Sequence, residues 1–358
     1  MSRSCLRKLS LSLVVFATTL GLTWAEDEVY RRTASVPLRG TVEAENAREI
    51  TIRRKDTGKS ETVSIYDLAK VKYEGGKTAA DLTQAESLER AGEYQKAIDA
   101  FSRLAKESSG KVFLERAAQF GQISSLAKQA MRDATRGEAA IQGLEDFRKQ
   151  NPDSRYHYAI HEMLGQLYRA KKDGASARAA FAELGSAPWL EFQLKAKNYE
   201  ARLLLDAGEL DRALEKFEEV IKSAGEAMEE RIRRFDALVG QADCLVKKKK
   251  FQEAEPVLRD VIANSSSEDA AIHAAAFNLL GDVMRDTGRE KESLYCYLYV
   301  DTFYGGERQE HAKALCYLSL LWAQRGRADR AEEARSRLKK DYPNSPWVQV
   351  ADAQGKPQ

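Results

Sequence analysis

The chain has 358 residues, 57 Lys+Arg against 55 Asp+Glu, and 43% hydrophobic content, so it is too apolar to be disordered and carries a heavily charged surface. A formal net charge of +2 removes any general electrostatic case for nucleic-acid binding, which needs a basic excess on some face. Four His and four Cys, scattered along the chain, leave little material for a metal or thiol site.

Residues 1–25 read as an export signal. Arg3, Arg7 and Lys8 give a positive start, Leu9 to Trp24 carries no charge, and Thr23-Trp24-Ala25 offers a small-x-Ala end before Glu26. The uncharged run is short for a bilayer span, which needs about 20 residues. Cys5 lies before the apolar stretch, so it is not placed as a lipidated cysteine. Cleavage would remove three positive charges from a chain of net +2 and leave it nearly neutral, with no integral membrane span. Export to a bacterial periplasm or beyond the cell is the expectation.

Residues 29–76 read as a small antiparallel β module. Val36–Glu43 and Glu49–Arg54 are strand candidates, Asp56-Thr57-Gly58-Lys59 is turn chemistry, and Glu61–Ile65 and Lys70–Tyr73 return. Four short alternating runs predict a small antiparallel barrel or curled sheet, with an SH3-like or Sm-like barrel as the expected form. The Asp56–Ser60 run DTGKS lacks the glycine of a phosphate loop (Arg53 stands five residues before Gly58) and precedes a strand, so it is read as a turn.

From Ala79 to Val350 strand signals vanish and helical periodicity takes over. Leu164-Gly165-x-x-Tyr168 is followed by Ala177, Phe181 and Leu184. Leu280-Gly281-x-x-Met284 is followed by Ser293, Tyr297 and Val300. Related frames run through Leu204, Gly208, Ala213, Phe217 and Val220, and through Leu245, Phe251, Ala254, Leu258 and Val261. Leu88, Gly92, Tyr94, Ala97, Phe101 and Leu104 give the first copy; Trp322, Gly326, Ala331, Leu338 and Pro343 give the last. The small-residue positions Ala97, Ala140, Ala177, Ala213, Ala254, Ser293 and Ala331 are spaced by 43, 37, 36, 41, 39 and 38 residues. The second unit, Val112–Pro152, keeps Ala140, Leu144 and Phe147 without a recognisable glycine frame and reads as degenerate.

This pattern resembles the tetratricopeptide repeat (TPR), whose usual period is about 34 residues. The resemblance implies about seven antiparallel helix pairs stacked into a mainly α superhelix, or solenoid, with a concave groove for a protein partner. The turns Asn151-Pro152-Asp153-Ser154-Arg155-Tyr156 and Tyr342-Pro343-Asn344-Ser345-Pro346-Trp347 share Pro-Asx-Ser-x-aromatic. They look like inter-repeat turns of bacterial envelope TPR proteins of the BamD and Tol-Pal-associated kind, with Asx or Ser expected to cap the next helix. Residues 351–358 are expected to be a disordered tail.

The resemblance also implies groove residues, at solvent-facing positions of the first helix of each unit: Glu162, Gln166, Arg169, Lys195, Asn198, Arg202, Asp236, Asp243, Lys247, Asn278, Asp282 and Arg285. Their mixed charge suits an extended polypeptide better than a polyanion. His157 and His161 share a helix face at i and i+4, but Glu162 points about 100° away on an ideal helix, so no metal is assigned. Lys247–Lys250 reads as a solvated helix end. Cys244, Cys296 and Cys316 read as small buried apolar residues, with a Cys296–Cys316 pairing left open. No nucleophile motif or carboxylate cluster emerges, and no cofactor is implied. The expected function is a non-catalytic interaction scaffold of the bacterial envelope. The alternative is an accessory subunit of a cell-wall or polysaccharide-handling complex that binds glycan or positions a catalytic partner.

Overall fold

A computed structural model describes residues 26–74 and 77–354. The export signal over residues 1–25 and residues 355–358 of the expected tail lie outside the described residues.

Five strands come first: β1 (Asp27–Arg31), β2 (Ala34–Glu45), β3 (Glu49–Arg54), β4 (Ser60–Ser64) and β5 (Leu68–Lys72). They form one antiparallel sheet in the order β4-β3-β2-β1-β5. The register sets Val29 opposite both Leu38 and Val71, Val42 opposite Ile52, and Ile50 opposite Val63. All seven side chains are buried on one face, as a period of two requires. The long β2 serves two partners, pairing β1 with its first half and β3 with its second, the two ladders meeting at Gly40. Any side chain there would put a Cβ 1.8 Å from the Arg53 carbonyl oxygen, so only glycine lets β2 and β3 approach.

The expected barrel is corrected here. The outer strands β4 and β5 do not pair, so the sheet is curled but open. Helices close its core instead: Leu82, Ala85, Phe101 and Leu114 belong to the same buried cluster as Val29 and Ile50. The additional strand β1 has one fully buried apolar residue, Val29, between Glu28 and Tyr30, too little for an alternation signal.

The helices follow as antiparallel pairs. They are α1 (Lys77–Arg90) with α2 (Tyr94–Glu107), α3 (Val112–Ala130) with α4 (Gly137–Gln150), and α5 (His157–Ala170) with α6 (Gly174–Gly185). Next come α7 (Leu190–Asp206) with α8 (Leu210–Ser223), and α9 (Met228–Lys247) with α10 (Phe251–Asn264). The last pairs are α11 (Ala270–Asp286) with α12 (Glu290–Phe303), and α13 (Arg308–Gln324) with α14 (Ala328–Asp341). A final α15 (Pro346–Gln354) follows them. Ala351–Gln354, expected in a disordered tail, is the last turn of α15, with Ala351 fully buried.

Two kinds of glycine, merged in the sequence pattern, separate in the structure. Gly121, Gly165, Gly240 and Gly281 lie within helices, where an added Cβ would fall 2.4, 2.2, 2.2 and 2.8 Å from the rings of Phe101, Phe181, Phe217 and Tyr297. Gly92, Gly208, Gly288 and Gly326 instead occupy the positive-φ turn between the helices of a pair, where Lys172 and Lys249 stand in two other units. Gly121 of α3 and Gly240 of α9 admit the ring of the preceding pair's second helix, whereas Gly165 and Gly281 admit the ring of their own pair. The two Pro-Asx-Ser turns differ from each other. Both Ser154 and Ser345 accept the N–H two residues on, from Tyr156 and Trp347. Ser345 directly precedes α15 and caps it as expected, whereas Ser154 lies three residues before α5 and shapes the turn instead.

The sheet docks where the first helices of four pairs begin. Glu45, at the end of β2, has a fully buried side chain between Arg116 of α3 (2.8 Å) and Arg155 just before α5 (3.2 Å). Tyr66 stacks on Trp189 (5.9 Å between centroids) at the start of α7, and Arg32 pairs with Glu229 at the start of α9. Sheet and helices thus share both apolar and ionic contacts.

Candidate functional site

The first helices of successive pairs lie side by side and bind each other through a polar ladder. Glu162 of α5 accepts from Lys195 Nζ (3.1 Å) and Tyr199 Oη (2.7 Å) of α7, and Gln166 donates to the same Tyr199 oxygen (2.7 Å). Arg169 reaches Asp206 (2.5 and 3.1 Å). One pair further, Arg202 and Asn198 of α7 both donate to Asp236 of α9 (2.5 and 3.1 Å). Asn278 of α11 donates to Glu310 of α13 (2.6 Å), and Asp282 accepts from Lys313 (2.6 Å) and Tyr297 (2.7 Å). Asp236 lifts the Arg202 pKa above its ordinary value, while burial and then Glu162 push the Tyr199 phenol well above its own. For Arg285, Tyr297 and Asp282 outweigh burial and hold the guanidinium charged.

The residues carried over from the repeat pattern divide accordingly. Gln166, Arg169, Arg202 and Asp236 converge on one cavity of about 660 Å³. Glu162 and Lys195 form the rung beside it. Asn198, Asn278 and Asp282 were expected to face solvent and are buried instead, because they are spent on bonds to the neighbouring repeat. Asp243 and Lys247 pair with each other along α9 (3.5 Å), and Arg285 packs its guanidinium over Tyr317 (4.2 Å).

The superhelix brings its two ends to the same space. The 660 Å³ cavity, a second of about 510 Å³ and a third of about 420 Å³ are all lined by Met131, at the end of α3, and Gln309, in the first turn of α13. Arg132 and Arg308 line the latter two together. Neither is ion-paired with a carboxylate among the described residues, although Asp236, Glu307 and Glu310 line the 420 Å³ cavity with them. Arg132 lies over the Tyr94 ring (4.5 Å), and Arg308 lies over Tyr342 (4.6 Å) and donates to the Asp341 carbonyl (2.7 Å). Pro343, Pro346 and Trp347 supply an apolar wall. Glu307, next to Arg308 in the lining of the 420 Å³ cavity, has its carboxyl pushed above its ordinary range by burial and then by Glu310. These lining groups were missed in the sequence because nothing in one repeat says how far round the superhelix the next six carry the chain. The Tyr342–Trp347 turn was the one part with a signal.

Away from this channel, His157, His161 and Glu183 hold their ligand atoms within 4.8 Å of one another. The carboxylate that the i, i+4 pair lacked in sequence comes from α6. His161 is buried, and burial and then His157 push its pKa down to about 4. Cys244, Cys296 and Cys316 are free and buried. The Lys247–Lys250 run forms the α9–α10 turn, with Lys248 paired to Asp211 and Lys250 to Glu253.

No curated protein sequence matches the chain. Among solved structures, it is similar to a Rap protein complexed with Competence and Sporulation Factor (14% identity, TM-score 0.53). That alignment covers 77% of this chain and 80% of the other. It is similar to a tetratricopeptide repeat protein from Parabacteroides merdae (12% identity, TM-score 0.52), covering 77% of this chain and 98% of the other. PilW, a type IV pilus biogenesis factor, aligns more loosely (18% identity, TM-score 0.43, 64% of this chain and 96% of that one). At these identities the likeness is one of fold. Tetratricopeptide repeat family models match residues 64–109 and 200–269, the first helix pair and the stretch from α7 to α10. The chain thus contains tetratricopeptide repeats over those two stretches, within an array of stacked helix pairs whose fold is that of the solved tetratricopeptide repeat structures.

Proposed function

We propose that the protein is a non-catalytic adaptor that holds an extended polypeptide partner in the inner channel of its superhelix. The observation carrying this reading is the run of three cavities that share Met131 and Gln309 and join early repeats to late ones. Repeat solenoids use such concave surfaces for binding. The ladder carboxylates are consumed in ion pairs between repeats, which fixes geometry instead of supplying a general acid or base. Arg132 and Arg308, neither ion-paired among the described residues, stand beside the Pro343–Trp347 wall. That combination suits a segment with an acidic residue next to an apolar one.

A place in the bacterial envelope is part of the proposal. It rests on the basic, apolar, small-residue order of residues 1–25 and on the two Pro-Asx-Ser turns similar to those of envelope TPR proteins. No helix among the described residues is long and apolar enough to cross a membrane. The test is capture from an envelope extract with wild-type chain, with Arg132→Glu/Arg308→Glu, and with Glu218→Lys on α8. A stoichiometric protein partner lost only with the arginine pair supports the reading. Retention of glycan without protein refutes it in favour of an accessory role in polysaccharide handling.

A further inference from the structure

We infer that His157, His161 and Glu183 form a binding site for one Zn²⁺-class transition-metal ion that clips α5 to α6. The site is separate from the channel and independent of the adaptor reading.

Three features carry the inference. The first is the donor set, two imidazoles and one carboxylate, which is what zinc accepts when three protein ligands leave a fourth position to water. The second is geometry. Metal–ligand bonds of about 2.1 Å in a tetrahedron put neighbouring donors about 3.4 Å apart. His157 Nε2 and a Glu183 carboxylate oxygen are already 3.9 Å apart, and all three donors lie within 4.8 Å. The remaining contraction falls on movable groups, since His157 is the first residue of α5 and the Glu183 side chain is more than half exposed.

The third feature is an unmet need. His161 is 5% exposed, and its Nδ1 is sealed from solvent without a hydrogen-bond partner. A neutral imidazole has one lone pair and one N–H, and no protein group among the described residues satisfies either at His161. Of the other two described histidines, His311 bonds Tyr342 and Asp301 through both nitrogens. His273 bonds Ser265 through Nε2 and has a likewise unpartnered Nδ1, but no cluster of a second imidazole and a carboxylate is found beside it among the described residues. An orphaned buried nitrogen is costly in an ordinary core. Beside a second imidazole (ring centroids 4.7 Å apart) and a carboxylate, the His161 ring offers a third donor to an ion. The adjacent Arg148 is paired with Glu145 (2.5 Å), which offsets its repulsion of a cation.

The site sits directly after Arg155 and Tyr156, which help to seat the β sheet, so a bound ion would stiffen the repeat on which the sheet rests. The test uses the full chain without an affinity tag, stripped with chelator, then titrated with Zn²⁺ by calorimetry and with Co²⁺ by visible absorption. One ion per chain, an intense tetrahedral Co²⁺ spectrum and a raised Tm are expected, with Ca²⁺ unable to compete. His157→Gln and Glu183→Gln, both at accessible positions, are expected to weaken binding by about tenfold or more. Absence of binding in the wild type, or affinity unchanged in both variants, overturns the inference. His161→Gln adds a third arm, and circular dichroism checks that it folds.

Discussion

Glu45→Ala asks whether the β sheet is fastened to the helices. The side chain is fully buried between two guanidiniums, with Arg116 donating at 2.8 Å and Arg155 Nε at 3.2 Å without aiming its N–H at the carboxylate. Removing the one anion leaves buried positive charge uncompensated, a change that costs about 3–5 kcal/mol. The lower end applies here. Arg116 keeps its bond to Asn151 (3.0 Å) and is 22% exposed, so water reaches it, and Arg155 keeps the faces of Tyr156 and Tyr73. About 3 kcal/mol corresponds to roughly a hundredfold rise in local opening. The assay is amide hydrogen exchange across β1–β5, with Glu43→Ala as comparator. Glu43 pairs with Arg53 at the surface, where solvent screens the pair and its loss should barely change exchange. Equal effects of the two substitutions would refute the fastening role of Glu45.

Four further outcomes follow from the same geometry. Gly165→Ala places a methyl 2.2 Å from the Phe181 ring and should cost about 1–3 kcal/mol in urea unfolding, whereas Gly174→Ala, facing open space, should be neutral or stabilising. Gly208→Ala, at φ +78°, should cost about 1 kcal/mol, and Lys249→Gly, at φ 59°, should be neutral or slightly stabilising by relieving the same strain. In chelator-treated protein the pH profile should carry the mark of His161, whose folded pKa of about 4 lies below the unfolded value of about 6.5. The fold favours its neutral form, so this stability is complete above about pH 6.5 and is lost as pH falls toward 4; His161→Phe should flatten that slope. Burial pushes the Cys244 thiol up to about 12 and those of Cys296 and Cys316 to about 11, so a thiol reagent at neutral pH should label these three only after denaturant is added.

Much of the helical array was legible because it is written in local periodicity. Phe101, Phe181, Phe217 and Tyr297, together with the small residues four positions before them, are all buried. What failed was resolution between similar signals. Gly208 and Gly165 look alike in a pattern of single letters, yet one sets a turn and the other admits a ring. The β module was recognisable from alternation, but the closure of its core by α1 to α3 involves residues that read as part of the repeats. The lining of the inner cavities was half legible. Position on a helix face picked out Gln166, Arg169, Arg202 and Asp236, while superhelical curvature alone brings Arg132 to Arg308. The burial of Asn198 and Asn278 shows why a polar residue on that face is not thereby free: its neighbour in the next repeat claims it first.

The most direct test of the channel is site-specific photo-crosslinking in the native cell, with benzoylphenylalanine at Met131 or Gln309 inside and at Glu218 on α8. The adaptor account predicts one discrete protein adduct from both inner positions and none from Glu218. An adduct formed only from Glu218, or the same adduct from every position, would contradict it.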